Sequence, residues 1–200
     1  MTRPTNTRAR LIEAALELIW SYSYGATSVD AICEKANSRK GSFYHFFPSK
    51  SALAVEALET QWQERRAIMD QLFAPQIPPL ERIANYFAFV LENQTAFYKR
   101  DGTVLGCPLF SLGCEVSTQD RAIGDKVNEI LARNQAYFEK AIADAHAEGS
   151  IVAPDPAEKA RVLFAFYEGS LAQARIANSL EPIRNLTAGA MELLGVPALR

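Results

Sequence analysis

Residues 27–50 read TSVDAICEKANSRKGSFYHFFPSK. Thr27 and Ser28 are capping residue types placed before a short helix-periodic apolar run, Val29, Ile32 and Cys33. Ala36-Asn37-Ser38 breaks that run, because Asn accepts positive φ at less cost than most residues and Ser38 can cap a following helix. A second short helix is expected over about 39–46, with Pro48 beyond its end. Two short helices joined by a three-residue turn form a helix-turn-helix, in which the second helix enters a DNA groove and the first braces it. The side chains suit that division. Phe43 and Phe47, four apart, share one face and can pack inward with Ala31, Ile32 and Ala36. Arg39, Lys40, Ser42, Tyr44 and His45 are left facing out. Arg and Lys attract phosphates and read guanine edges, while Ser, Tyr and His hydrogen-bond backbone oxygens. Gly41 lets the peptide approach a duplex without a side chain in the way.

Outward from this stretch, apolar residues recur at three-and-four spacing almost end to end, with no sustained alternation of the strand type. The chain is expected to be all-α, with nine helices. Leu11, Ala15, Leu18 and Ile19 mark the first, after a basic arm carrying Arg3, Arg8 and Arg10; Gly25 is expected to stop it in a left-handed conformation. A long fourth helix opens at Ser49 or Lys50 and runs to about Phe73. The fifth spans about 80–99, the sixth about 103–116, the seventh about 118–148, and the last two about 155–178 and 181–194. Ile183, Leu186, Ala190, Leu193 and Leu194 form a narrow apolar seam on the ninth, beside a thin eighth helix rich in Gly, Ser and Ala. Such residues permit close helix approach. Intrachain packing and a two-fold dimer seam both fit, and the dimer seam through the last two helices is the preferred expectation.

Composition sets the outer bounds. The 200 residues, 48% of them hydrophobic, are enough for substantial cores. No window approaches the ~18–20 uninterrupted apolar residues of a membrane span, and the first twenty residues do not form a signal peptide, so a cytoplasmic, membrane-free location is expected. Three cysteines and two histidines, without a second cluster, argue against a disulfide framework, a structural metal or a cofactor. Residues 1–50 hold seven of the 21 cations and four of the 23 anions, a mildly basic end on an acidic body.

The run TSVDAI over 27–32, followed by Ala36, KGSFYHFF over 40–47 and SKSAL over 49–53, resembles the signature of the tetracycline-repressor (TetR) family of bacterial transcription regulators. The resemblance covers about residues 8–55. It implies an all-α homodimer with an N-terminal DNA-binding domain, here 1–52, and a larger C-terminal ligand-binding and dimerisation domain, here 53–200, whose inducer in most members releases operator DNA. Arg39, Lys40, Gly41 and Ser42 would then be the base-facing start of the recognition helix. Tyr44, His45 and Lys50 would contact phosphate, as would Thr27 or Ser28. The sequence departs from the family at Asn37, where Gly is usual, and at Ser38, where an apolar residue is usual.

The C-terminal part is less specific. An apolar inducer pocket bounded by Trp62, Tyr86, Phe89, Val90, Cys107, Phe110, Phe138, Phe166 and Tyr167 is expected, with Asn93, Asn134 or Arg175 as polar anchors. The stretch from Gly106 to Ser117 is also similar to one in a subgroup of the family that responds to electrophiles through a cysteine placed like Cys107. The alternative for Cys107 and Cys114 is that of small buried hydrophobes. Two other classes are set against a sensor: a DNA-binding architectural dimer without inducer, and an all-α thiol enzyme. The aromatic-rich second half argues against the first. The positions of His45 and His146 argue against the second.

Overall fold

The computed structural model describes residues 6–196. Among them the chain is all-helical: α1 (Thr7–Ser21), α2 (Val29–Lys35), α3 (Lys40–Phe46), α4 (Lys50–Leu72), α5 (Pro79–Asp101), α6 (Pro108–Val116), α7 (Arg121–Ala147), α8 (Pro156–Ala177), α9 (Glu181–Arg184) and α10 (Leu186–Leu193). Where nine helices were expected there are ten, because the last is broken at Asn185, which lies outside helical geometry at φ −105°, ψ 24°. The periodicity survives the break: Ile183, Leu186, Ala190 and Leu194 are all buried, while Leu193 is exposed. The sixth helix is shorter than expected. It begins at Pro108, a residue suited to a first helical position, after an extended stretch in which Gly106 has φ 67°.

Two compact units emerge. One combines the described residues up to Arg65 with Pro108–Leu131; the other combines Arg66–Cys107 with the described residues from Ala132.

In the first unit α1, α2 and α3 pack on one another and α6 packs on α1. Its core gathers Leu11, Ile12, Ala15, Ile32, Phe43, Phe47 and Leu53. Small residues let α6 and α7 close up. A Cβ on Gly113 would sit 2.9 Å from Val127 Cγ1, and one on Gly124 would sit 2.8 Å from the Ser117 carbonyl oxygen.

The second unit is built around aromatic rings. Tyr86, Phe87, Phe138, Phe164, Tyr167 and Phe73 form a continuous set of tilted and edge-on contacts with centroids 5.1–5.9 Å apart, the geometry ring quadrupoles favour. Polar groups pin its connections. The buried Arg82 side chain donates to the Pro75 and Ile77 carbonyls at 2.9 and 2.7 Å and to Asp144 at 2.6 Å, tying the α4–α5 connection to α7. The segment before α6 is held by three side chains. Gln94 exchanges two hydrogen bonds with Gly106, Arg175 donates to the Leu105 carbonyl, and Asn178 accepts from the Val104 amide and donates to the Gly102 carbonyl.

Candidate nucleic-acid interface

Ser28 is the N-cap of α2: its backbone is extended and its hydroxyl accepts from the Ala31 amide at 3.1 Å, satisfying a donor the helix start leaves open. Asn37 takes positive φ (46°), as its residue type allows, and so replaces the glycine usual at this turn. The Ser38 amide donates to the Cys33 carbonyl at 2.9 Å and fixes the turn. Ser38 does not cap α3, however. The N-cap is Arg39, without a side-chain cap bond, which leaves the guanidinium at the exposed start of the helix.

The two faces of α3 separate as the spacing required. Phe43 and Phe47 are 0% and 2% exposed, with ring centroids 5.9 Å apart. Arg39, Lys40, Gly41, Tyr44 and His45 are exposed and Ser42 half-buried; Phe46, not foreseen on the outer face, is exposed too, with the His45 ring edge-on to it at 4.8 Å.

Several expected DNA-contacting groups also make bonds within the chain. Thr27 is 3% exposed and its hydroxyl donates to the Ser23 carbonyl at 2.6 Å, so of the Thr27/Ser28 pair only Ser28 stands at the surface. Lys50 is half-buried. Its ammonium donates to the Tyr24 and Thr27 carbonyls, each at 2.9 Å, and lies 4.0 Å from the centre of the Tyr24 ring. Burial pulls its pKa below the usual lysine value, and the Glu115 carboxylate opposes that shift. Arg8 and Arg10 belong to α1 rather than to a free arm, because Asn6 caps that helix. Arg8 pairs with Glu56 and stacks over Phe47 at 5.7 Å; Arg10 donates to the Ala36 carbonyl at 3.0 Å. Arg3 lies outside the described residues.

Lys40 is exposed, yet Asp30 on α2 holds it at 2.8 Å, and that hydrogen bond raises its pKa. An exposed pair adds little to stability; its effect falls on the charge presented to a duplex. Asp30→Asn is expected to free the Lys40 charge for the duplex, raise affinity for random-sequence duplex and steepen the salt dependence by about one counterion. Titrations of such a duplex across a salt series read this directly, and an unchanged slope would show that the Lys40 charge does not reach the duplex.

Of the residues expected to line an inducer pocket, Tyr86, Phe138 and Tyr167 lie against one another in the second unit. Tyr86, Val90, Phe138 and Tyr167 are buried within the second unit, where the Tyr86 and Tyr167 hydroxyls meet at 3.1 Å. Phe89 is half-buried, and Phe166 faces α10, where a Cβ on Gly189 would lie 2.7 Å from its Cζ. Cys107 is half-buried just before α6, and Cys114 is exposed rather than a second buried thiol. Trp62 and Phe110 fall in the first unit. Of the polar anchors, Asn134 is buried, Asn93 half-buried, and Arg175 engaged with the Leu105 carbonyl. Gln94 and Glu168, both buried, were not foreseen; no residue pattern distinguishes them from surface helix positions. An open groove of about 530 Å³ lies between the starts of α4 and α7, beside Ser51, Val55, Ala122 and Lys126, and none of the expected ligand residues lines it.

A short braced helix presenting a cation, hydroxyls and a histidine over a buried aromatic pair defines a helix-turn-helix DNA-binding protein. Residues 11–57 match the family model for bacterial regulatory proteins of the tetR family, and residues 79–190 match the tetracyclin repressor-like C-terminal domain. The chain belongs to the TetR family of transcriptional regulators, which are not enzymes. It is 28% identical over 183 residues to the HTH-type transcriptional repressor DhaR of Mycobacterium sp. strain GP1, covering 90% of this chain and 87% of DhaR. It is 26% identical over 196 residues to the HTH-type transcriptional repressor NemR of Escherichia coli K12, covering 97% and 96%. The fold matches that of reduced E. coli NemR with a TM-score of 0.80 at 24% identity, over 97% of this chain and 100% of that one. It also matches a regulatory protein TetR from Rhodobacter sphaeroides with a TM-score of 0.83 at 25% identity, over 94% and 98%. Regulators of this family bind operator DNA and dimerise. None of the described helices is long and apolar enough to cross a membrane.

Proposed function

We propose that this regulator is a cytoplasmic repressor that leaves its operator when a small apolar or electrophilic inducer acts on its C-terminal part. The observation that carries the reading is the two-faced α3. With Phe43 and Phe47 fixing its orientation, Arg39, Lys40, Gly41 and Ser42 are the base-facing set, and Tyr44, His45 and Ser28 the phosphate-facing one. Functionally, residues 1–52 bind DNA and residues 53–200 bind inducer and dimerise, although 108–131 pack with the first group. Lys50 acts chiefly through the turn it holds.

Dimerisation uses the outer side of α8 and the end of α10. Of the seam first expected to form the interface, Ile183, Leu186, Ala190 and Leu194 are buried within one chain, where α10 packs on α5 and α8, and Leu193 is exposed. The large apolar residues of α8 and α10 that remain exposed are Val162 (44%), Ile176 (86%) and Leu193 (37%). Val162 and Ile176 stand fourteen apart, four turns of one helix, and so share a face.

The test starts from the duplex that the full-length protein selects from a random-sequence library. Arg39→Ala with Tyr44→Ala is expected to weaken binding to it about 100-fold, as loss of one base contact and one phosphate contact implies. Parent-like affinity of the double variant, or failure of the parent to select any duplex, would sink the repressor reading. For the inducer, N-ethylmaleimide is expected to label Cys107 and release the duplex. Equal release from Cys107→Ser would shift the thiol role to the exposed Cys114, and no release from the labelled parent would leave an apolar inducer.

A further inference from the structure

Tyr24 and Gly25 lie in the turn between α1 and α2, and their two backbone amides donate to a single carboxylate, that of Glu115 near the end of α6, at 2.9 and 2.7 Å. The carbonyls of the same turn point the other way. Those of Tyr24 and Thr27 take the Lys50 ammonium at the start of α4. The turn is thus gripped by an anion through its N–H groups and by a cation through its C=O groups, and charge-assisted bonds of this kind are the stronger sort. The turn leads directly into Ser28, the cap of α2.

Gly25 supplies independent support. Expected to end α1 through a left-handed φ, it does not adopt one; α1 has already ended at Ser21. What a side chain there would meet is Glu115: a Cβ would lie 3.1 Å from Oε1. The missing side chain therefore serves the approach of the carboxylate to the backbone rather than a backbone conformation.

Resting on the repressor reading above, we infer that Glu115 is a positioning residue for operator binding: by holding the Tyr24–Gly25 amides it sets the α1–α2 turn, and with it Ser28 and the brace of the recognition helix, in register with α6. Displacement of α6 then reaches the DNA-binding surface through this carboxylate. Cys107 is the residue immediately before α6, and Glu115 the penultimate residue within it, so one nine-residue helix, about 13 Å long, starts at the residue after the thiol and holds the grip near its far end.

The experiment is a mutant cycle read by affinity for the library-selected duplex, well below the unfolding transition, where a role in stability alone leaves affinity untouched. Glu115→Ala is expected to weaken binding about tenfold, Gly25→Ala by a similar factor, and Glu115→Gln, which keeps one acceptor oxygen, by less. Gly25→Ala added to Glu115→Ala is expected to cost nothing further, since the group it obstructs is gone. Hydrogen exchange at the Tyr24 and Gly25 amides should be slow in the parent and fast in Glu115→Ala. Parent-like affinity of Glu115→Ala, or a full additive loss in the double variant, overturns the inference. If Glu115→Ala does not fold, Glu115→Gln and Gly25→Ala decide it alone, and parent-like binding by both is the overturning result. Failure of the parent to select a duplex counts against the repressor reading instead.

Discussion

Phe43→Ala is expected to abolish DNA binding at room temperature by unfolding the surface that carries it. Phe43 is fully buried against Phe47 and Tyr44, with centroids 5.9 and 5.1 Å away, in a core closed by Leu11, Ile32 and Leu53. Truncating such a ring costs about 3–5 kcal/mol through lost burial and the cavity left behind, a large part of a small unit's stability. The chain's two tryptophans, Trp20 and Trp62, both lie in the first unit, so tryptophan fluorescence follows its unfolding selectively. The urea midpoint read this way should fall sharply for Phe43→Ala. Tyr44→Ala, on the exposed face of the same helix, should leave the midpoint nearly unchanged while weakening binding. Equal midpoints for the two variants would contradict the inward and outward assignment of α3.

Arg82→Ala should have the largest effect in the second unit. The guanidinium is buried and satisfies Asp144 and two carbonyls at once; removing it leaves the two carbonyls without their donor, at about 1–3 kcal/mol for each that stays dry, while Asp144, 34% exposed, keeps water and Lys140. The loss should depend on pH. The hydrogen bond from Arg82, with lesser help from Lys140, holds the Asp144 carboxyl below its usual range. A depressed carboxyl contributes stability fully above its unfolded value of about 3.9 and loses it as pH falls through the folded value. The gap in melting temperature between parent and Arg82→Ala should therefore be widest above about pH 5 and narrow in acid. A gap that stays constant from neutral to acid pH would mean that the two carbonyl contacts, not the ion pair, carry the stabilisation.

The helix-turn-helix was legible because its determinants are local. Caps at Ser28, the positive φ of Asn37 and the four-residue spacing of Phe43 and Phe47 all act within one or two turns. What sequence spacing misjudged was the assignment of polar groups whose partners are distant. Glu115 meets Gly25 across 90 residues and Arg82 meets Asp144 across 62, and nothing in the helical pattern of either segment marks these residues. Gly25 shows the limit from the other side. A glycine after a helix suggests a left-handed stop, and here the residue was read correctly as special but for the wrong reason. In the aromatic second half, periodicity found buried rings at Tyr86, Phe138 and Tyr167.

The first compact unit is assembled from two separated stretches, the described residues up to Arg65 and Pro108–Leu131, joined by Glu115 to the α1–α2 turn, Ser51 to Asp120 and Lys126 to Glu59. Its DNA-reading part is therefore no interchangeable cassette. A chimera that splices residues 1–52 onto a foreign sensor would discard these anchors, and one built to recombine specificity must transplant both stretches together.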